Sequence, residues 1–204
     1  MKIIGLSGGI ASGKNLVAEI FSKNGAAVFD ADKEVHALLE GDKSTIAAIK
    51  KNFPESFVEK KVNRKILGEI VFADEKKLKI LEGILHPKVR KNYQYFIKRS
   101  RQEKSGLVVL NIPLLLETKG YEYDLVIAVI ASKTLRKKRF LERAKKQNPK
   151  NFLAEKKNLE KKFEQILKKQ MHDKQRKERA DFVIRNDGSK AELRTLIKRI
   201  ISLS

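Results

Sequence analysis

The first fifteen residues, MKIIGLSGGIASGKN, constrain the fold more than any other stretch of the chain. An apolar strand pattern over residues 2–6 leads into a glycine-rich turn, and Gly8, Gly13 and Lys14 fit the phosphate-binding pattern G-x-x-x-x-G-K. The residues that follow have the spacing of an amphipathic helix. In such a strand, loop and helix, backbone N–H groups converge on anionic oxygens and the lysine reaches the terminal phosphates. The flanking strand and helix therefore favour a P-loop over a merely glycine-rich turn.

Residue 15 departs from the P-loop pattern. The lysine is normally followed by Ser or Thr, whose hydroxyl binds Mg²⁺, but here Asn15 and then Leu16 follow it. An amide oxygen is a hard, neutral ligand that Mg²⁺ accepts, although it projects one bond further than a hydroxyl. We therefore predict that Asn15 either binds Mg²⁺ directly or holds one of its water molecules.

The length and the absence of cysteine limit the class of protein. A chain of 204 residues can bury a substantial core as one domain with insertions or as two small domains. Without cysteine there is no disulfide framework, thiol nucleophile or Cys-ligated zinc site. No apolar run is long enough to span a bilayer, and the first residues read as a strand and not as a signal peptide. We expect a cytoplasmic protein with no membrane partner.

The charge of the chain is strongly positive. It has 46 Lys and Arg residues against 25 Asp and Glu residues, a formal net charge of +21. Such a field attracts nucleic acids, anionic membranes and phosphorylated small molecules. Because the lysines are spread over most of the predicted helices, solvated helix faces are the favoured interpretation. We expect no specific nucleic-acid partner, and a monomer or at most a weak oligomer.

A pair of aspartates follows the second predicted strand, residues 26–30. The order of strand, P-loop, helix and strand is a βαβ unit, whose ligands lie beyond the carboxyl ends of the strands. Asp30 and Asp32 fall at that edge. A carboxylate there can deprotonate a hydroxyl that attacks a γ-phosphate, or bind Mg²⁺ through water. One of the two is expected instead to cap the helix that begins near Lys33.

Residues 34–102 show no convincing strand. Three segments have helical periodicity, each with a capping residue: 44–53 with Ser44, 63–72 with Asn63, and 74–85 with Asp74. His86 and Pro87 interrupt the pattern, and Pro87 suits the first turn of a further helix. The region is too long for a simple crossover, so we expect it to form a wall that binds a second substrate.

Strand and helix alternate again after residue 106. Apolar strand patterns cover residues 107–112, 124–130 and 182–184. Arg136, Arg139 and Arg143 are spaced by helical turns and can share one face. Residues 144–179 are rich in Lys, Glu and Gln and predict either a solvent-exposed helix or helical hairpin, or a mobile lid. The three arginines that precede this segment favour the lid. A turn at Asn186 to Gly188 precedes a closing helix over residues 189–203.

Five motifs, in this order and spacing, resemble the dephospho-CoA kinase family along nearly the whole chain. They are GGIASGK (8–14), DAD (30–32), HP (86–87), PLLLE (113–117) and RADFVIRNDG (179–188). That family transfers the γ-phosphate of ATP to the ribose 3′-hydroxyl of dephospho-CoA, the last step of coenzyme A biosynthesis. The resemblance implies ATP and dephospho-CoA as partners and Mg²⁺ as the metal.

The expected fold is α/β, a three-layer α/β/α P-loop core with a parallel sheet, a helical substrate-binding insertion and a helical lid. The core comprises residues 1–34, 105–143 and 180–204, the helical CoA-binding region residues 35–104, and the lid residues 144–179. This division combines the strand and helix patterns with the parts that the family is described to have.

The resemblance implies roles for individual residues. Asp32 looks like the proposed catalytic base, Lys14 like the lysine on the β and γ phosphates, and Arg139 like a catalytic arginine at the lid base. The ATP-binding residues are expected to be Gly8, Gly9, Ile10, Ala11, Ser12, Gly13, Lys14, Asn15, Arg143, Asn186 and Gly188. The acceptor-binding residues are expected to be Ser7, Asp32, His36, Arg64, His86, Pro87, Pro113, Leu114 and Glu117.

Three further features depart from the family pattern. His36 stands where many members have Arg, and Asn111 where some have Asp. The segment between Arg143 and Gln170 is longer than usual by roughly three helical turns. From the residues alone, another small-molecule P-loop kinase remains an alternative. A second alternative is a degenerate P-loop protein that binds nucleotide or nucleic acid. Asn15 in place of Ser or Thr is the sequence feature that favours the degenerate P-loop.

Overall fold

A sheet of five strands, in the order β2-β5-β1-β6-β7, forms the centre of the larger part of the protein. The computed structural model describes residues 1–117 and 120–202. The strands are β1 (Lys2–Gly8), β2 (Ala27–Asp30), β3 (Phe57–Val58), β4 (Lys61–Val62), β5 (Leu107–Asn111), β6 (Leu125–Ile130) and β7 (Phe182–Arg185). The helices are α1 (Lys14–Lys23), α2 (Ala31–Gly41), α3 (Lys43–Asn52), α4 (Arg64–Ala73), α5 (Glu75–Gln102), α6 (Lys133–Gln147), α7 (Phe152–Lys169), α8 (Asp173–Glu178) and α9 (Lys190–Ser202).

The chain divides into two compact units. The first unit comprises Met1–Phe29 and Ser100–Ser204, and the second comprises Asp30–Arg99. In the first unit, β1 lies between β5 and β6, and the β1–β5, β1–β6 and β6–β7 pairs are parallel. Parallel strands align their carboxyl ends at one edge of the sheet, which is where this fold class binds its ligands.

Alternation along β1 separates the two faces of the sheet. Ile4 and Leu6 belong to a buried cluster that includes apolar residues of α1 and α9. On the opposite face Ser7 is buried beside α8, and its hydroxyl accepts a hydrogen bond from Arg176. Helices therefore flank this central strand on both sides. The predicted α/β fold is confirmed, and each of the five predicted strands matches an observed strand to within two residues.

The second unit is mainly helical, and side chains cap its helices as the sequence predicts with one exception. Asp30 Oδ1 accepts from Lys33 N–H at 3.1 Å, and Asn63 and Asp74 cap α4 and α5 in the same way. The predicted cap Ser44 was wrong. Asp42 caps α3 instead, because its carboxylate accepts from the Thr45 N–H at 2.6 Å and from the hydroxyl of Ser44.

Pro87 does not begin a new helix. It lies inside the single helix α5, so the predicted break at His86-Pro87 was wrong. Proline removes one backbone hydrogen bond and its ring faces the carbonyl four residues earlier, which here belongs to the permissive Gly83. Buried side chains continue at four-residue spacing through the proline, at Leu85, Val89, Tyr93 and Ile97. This continuous apolar stripe stabilises one long helix despite the lost bond.

A short antiparallel hairpin, β3 and β4, lies between α3 and α4 and was not predicted. Its two turn residues, Glu59 and Lys60, have φ values of 48° and 61°. Both are left-handed conformations that Gly, Asn or Asp normally supply, so the sequence carries no turn signal there.

The last part of the first unit is helical apart from β7. The helices α6 and α7 lie side by side, with the rings of Phe140 and Phe163 5.6 Å apart, and α8 follows. The predicted end of the closing helix, Leu203, falls outside the described residues. Over residues 1–117 and 120–202, no helix is both long enough and apolar enough to cross a membrane.

Candidate functional site

The phosphate-binding pattern forms a tight loop at the N-terminus of α1. Strand β1 ends at Gly8, and the helix begins at Lys14. Two residues of the loop, Ala11 and Gly13, have φ values of 55° and 98°, and the Ser12 N–H donates to the Gly9 carbonyl at 3.1 Å. The positive end of the α1 dipole and the first backbone N–H groups of that helix lie at this loop, an arrangement that attracts phosphate.

Lys14 contacts a side chain at the end of the neighbouring strand. Its Nζ donates to Oδ1 of Asn111, and Asn111 Nδ2 donates to Oδ1 of Asn15 at 3.3 Å. Asn111 is buried because β5 pairs in register with β1, which sets it opposite Leu6. The two departures from the family pattern, at positions 15 and 111, are therefore neighbours that contact each other.

The carbonyl of Ser12 is held by two side chains from distant parts of the chain. Asn186 Nδ2 donates to this oxygen at 2.8 Å, and Arg139 Nη1 approaches it at 3.4 Å. Arg139 Nη2 also donates to the Asn186 carbonyl at 2.9 Å. A Cβ at Gly13 would lie 2.0 Å from Asn186 Nδ2, so the glycine is needed for this contact as well as for its φ. The structure thus brings Arg139 and Asn186, both predicted site residues, against the P-loop backbone.

Arg136 and Gln170 contact the backbone of Ile10, two residues earlier in the loop. Arg136 Nε donates to the Ile10 carbonyl at 2.7 Å, and the Ile10 N–H donates to Gln170 Oε1 at 2.8 Å. Arg136 also forms an ion pair with Asp173 at 3.1 Å. Burial lowers the pKa of the Arg136 guanidinium below its usual value, and the Asp173 carboxylate opposes that shift. Gln170 was not predicted as a site residue.

Arg176 is a fully buried cation that contacts the end of β1, just before the P-loop. Its guanidinium donates to Ser7 Oγ and to the Met171 carbonyl, and it lies 3.6 Å from a carboxylate oxygen of Glu117. Ser7 and Glu117, both predicted to bind the acceptor, are thus joined through a residue that the sequence did not single out. A positive residue in a Lys-rich segment gives no sequence signal that distinguishes it from a solvated one.

Other predicted residues of the first unit are more exposed. Arg143 is exposed, and its guanidinium lies 6.0 Å from the centre of the Phe140 ring. Pro113 and Leu114 are exposed, and Leu114 has a left-handed φ of 52°. Gly188 is exposed in the turn after β7.

The predicted residues of the second unit lie mainly on its surface. Asp30 caps α2, and Asp32 is exposed in the first turn of that helix. One turn further on, His36 Nδ1 is 3.3 Å from Glu40 Oε1. The remaining three are exposed on α4 and α5: Arg64, His86 and Pro87. In the second unit, helix α2 therefore carries Asp32 and His36 one turn apart.

Comparison with known proteins places this geometry in a family. A family model described as dephospho-CoA kinase matches residues 2–192 of the chain. The chain belongs to the dephospho-CoA kinase family. A curated dephospho-CoA kinase from Bartonella henselae is 44% identical over 185 residues, which cover 90% of this chain and 88% of that one. The family resemblance carried by the five motifs is confirmed.

Solved structures agree with this membership in the dephospho-CoA kinase family. A dephospho-CoA kinase from Campylobacter jejuni is 31% identical with a TM-score of 0.62, covering 99% of this chain and 96% of that one. A Thermus thermophilus protein, 29% identical, superposes with a TM-score of 0.77 and covers 99% of this chain and 97% of that one. The P-loop kinase fold is therefore shared over the full chain.

Proposed function

We propose that this member of the dephospho-CoA kinase family transfers the γ-phosphoryl group of ATP to the ribose 3′-hydroxyl of dephospho-CoA and so produces coenzyme A. The observation that carries the proposal is the intact P-loop, with Lys14 at the start of α1, in a chain matched by the family model over residues 2–192. The hydroxyl oxygen forms a bond to the γ-phosphorus while the bond to the bridging oxygen breaks. ADP leaves and the hydroxyl gives up its proton.

The donor nucleotide is bound in this proposal by the loop of residues 8–14. Backbone N–H groups and the helix dipole attract the phosphates, and Lys14 neutralises charge on the β and γ phosphates. Arg139 already lies against the Ser12 carbonyl, so a small change of its side chain would bring a positive charge to the transferring group. The remaining residues assigned to ATP binding are Asn186, Gly188 and Arg143. Asn186 acts through its contact with the Ser12 carbonyl.

The acceptor hydroxyl is deprotonated in this proposal by Asp32. The residue is exposed in the first turn of α2, directly after the strand β2, so its carboxylate is accessible to a substrate. His36 lies one turn further along the same helix and can contact the same ligand. The remaining acceptor contacts are assigned to Ser7, Arg64, His86, Pro87, Pro113, Leu114 and Glu117. Of these, Ser7 and Glu117 act through Arg176 and shape the site, since Ser7 is buried.

Magnesium fits the residues present near Lys14. Asn15 and Asn111 supply amide oxygens, which are hard ligands, and the phosphates of ATP supply the rest of the charge. Among residues 1–117 and 120–202, no three His, Cys, Asp or Glu side chains are grouped to hold a metal. Asn15 would bind the ion or one of its waters, and Asn111 would orient Asn15. The bound ion would supply charge neutralisation of the β and γ phosphates.

We also propose that the enzyme is a cytoplasmic monomer, with ATP and dephospho-CoA as its only specific partners. The absence of cysteine from the chain agrees with a reducing compartment. Light scattering on the purified chain gives the mass in solution, and a stable dimer would contradict the monomeric state. The location is tested by fractionating cells that express the chain.

The test of the function is ADP release with ATP and Mg²⁺, measured with and without dephospho-CoA. Adenosine, AMP and shikimate serve as parallel acceptors. We expect release only with dephospho-CoA, and coenzyme A as the product by mass spectrometry. Release with another acceptor alone would assign a different small-molecule kinase. ATP binding without release for any acceptor would assign a degenerate P-loop.

A further inference from the structure

Two consecutive peptide groups of the P-loop, one on each side of the Ile10 Cα, are each held by a side chain outside the P-loop pattern. The Ile10 carbonyl accepts from Arg136 Nε at 2.7 Å, and the Ile10 N–H donates to Gln170 Oε1 at 2.8 Å. We name Arg136 and Gln170 the Ile10 clamp. Neither the Gly9–Ile10 peptide nor the Ile10–Ala11 peptide can rotate without breaking its hydrogen bond, so the clamp fixes the backbone on both sides of Ile10.

The two residues of the Ile10 clamp come from the two ends of one helical hairpin. Arg136 lies in the first turns of α6, and Gln170 is the C-cap of α7. Contacts join the two helices along their length: Phe140 with Phe163, Lys133 with Glu164 at 2.8 Å, and Lys137 with Glu160 at 3.2 Å. The hairpin is therefore a single packed element, and both its ends contact the backbone of Ile10 in the phosphate-binding loop.

The neighbouring residues fit Arg136 closely. Its side chain is buried and paired with Asp173 at 3.1 Å, which fixes the guanidinium. A Cβ at Gly9 would lie 2.3 Å from Arg136 Nη2, so the glycine leaves the space that the guanidinium fills. The guanidinium therefore fills the space beside Gly9, and from there its Nε donates to the Ile10 carbonyl.

We propose that Gln170 and Arg136 are positioning residues, which hold the P-loop in its phosphate-binding shape and couple that shape to the position of the α6–α7 hairpin. The coupling is reciprocal, because a nucleotide that orders the loop must also order a hairpin bonded to it. The proposal goes beyond the assigned reaction. It rests on the proposed function only in taking ATP as the ligand of the loop.

The first test compares three variants by calorimetric titration with ATP, in the absence of any acceptor. Gln170→Leu removes the acceptor for the Ile10 N–H, whereas Gln170→Glu keeps an oxygen at that position. The matched control is Gln165→Leu, an exposed glutamine of the same helix. We expect Gln170→Leu to weaken ATP binding about tenfold, as loss of a partner by a part-buried donor predicts. Gln170→Glu and Gln165→Leu should stay within about twofold.

The second test measures coupling by hydrogen exchange of backbone amides with and without ADP. In the parent protein, ADP should slow exchange both in the loop and in the hairpin of α6 and α7. In Gln170→Leu, at saturating ADP, the loop should still be protected while the hairpin loses its added protection. A residue with a merely structural role would not separate these two responses.

Three results would overturn the proposal. They are unchanged ATP affinity in Gln170→Leu, equal losses in Gln170→Glu, and hairpin protection that persists in Gln170→Leu. If Gln170→Leu does not fold, Arg136→Lys replaces it, since a lysine can pair with Asp173 but has no second nitrogen for the Ile10 carbonyl. The same affinity loss and the same uncoupling are then expected. Because no acceptor is present, failure here leaves the dephospho-CoA assay untouched, and failure of that assay leaves this result standing.

Discussion

The predicted donor residues and the predicted acceptor residues are held in very different ways. In the first unit, four side chains contact the P-loop backbone: Arg136, Arg139, Gln170 and Asn186. Arg139 is also bonded to Asn186, and Arg136 to the Asp173 carboxylate. In the second unit, exposed side chains on helix surfaces carry the predicted roles, with Asp32 as the chief example. Side chains predicted to bind ATP thus also hold the P-loop in shape, whereas the residues predicted to bind the acceptor in the helical unit lie mainly on its surface.

This difference has a physical cause. A phosphate-binding loop must present backbone N–H groups in one fixed arrangement, which side chains and carbonyls from other elements can impose. A residue that accepts a proton from a substrate hydroxyl must instead be accessible to that substrate. Substitutions in the loop should therefore change stability and ligand binding together, and substitutions of the exposed residues should change turnover alone.

The largest effect is expected for Asp32→Asn. Loss of the proton acceptor should lower kcat by about 10²- to 10⁴-fold. ATP affinity and Tm should stay close to the parent values, because the residue is exposed on α2. The measurements are steady-state ADP release, calorimetric titration with ATP, and a thermal melt.

Asp30→Asn is the matched control for Asp32→Asn, since asparagine can also cap α2. Its turnover is expected to stay within about tenfold of the parent, because capping needs only a side-chain oxygen. Near-normal turnover in Asp32→Asn would remove Asp32 from the mechanism. A large fall in Tm with Asp32→Asn would instead break the contrast between the two units.

The next largest effect is expected for Gly13→Ala, in which binding and stability should fall together. The φ of 98° strains any residue with a Cβ, and the new Cβ would displace the Asn186 side chain. ATP affinity should fall by at least about tenfold, the equivalent of 1.4 kcal/mol. A thermal melt and an ATP titration on the same sample measure both effects.

Gly25→Ala separates backbone strain from the lost contact with Asn186. Gly25 has a φ of 91°, but its Cβ would have no neighbour within 4 Å. It should lose about 1–2 kcal/mol of stability from left-handed strain and keep its ATP affinity. If both variants lose ATP affinity equally, the contact between Asn186 and the loop has no role in binding.

How far the sequence predicted these results depends on the signal that each element carries. Buried parallel strands read as continuous apolar runs, so the buried strands β1, β5 and β6 were predictable, as was the P-loop with its pattern of glycines and lysine. Gln170 was not, because its partner is 160 residues away and its surroundings match a solvated helix. The predicted helix break at Pro87 was wrong because the buried apolar stripe of α5 outweighed the local preference of proline for ending a helix.

A smaller effect is expected at the asparagine pair beside Lys14. Asn15→Ala removes the amide oxygen and its contact with Asn111, so the Mg²⁺ concentration for half-maximal activity should rise several-fold. ADP affinity with and without Mg²⁺, measured by titration, provides a readout apart from activity. Affinity without metal should not change. If Mg²⁺ dependence is also unchanged in both assays, Asn15 has no role in holding the metal.

The smallest effect on activity is expected at Asp42, which caps α3 and has no predicted role in the reaction. Hydrogen bonds from Lys88, Thr45 and Ser44 hold the pKa of Asp42 well below its usual value of 3.8. A carboxyl whose pKa is lowered by folding stabilises the folded state above its unfolded pKa and loses that contribution as the pH falls. Asp42→Asn should therefore lower the free energy of unfolding in urea at pH 7, and this difference from the parent should shrink below about pH 4. Turnover of the folded variant at pH 7 should match the parent, which would extend the separation of stability from function to a partly exposed helix cap of this unit. A difference in stability that persists undiminished at low pH would mean that the charge on Asp42 has no part in it.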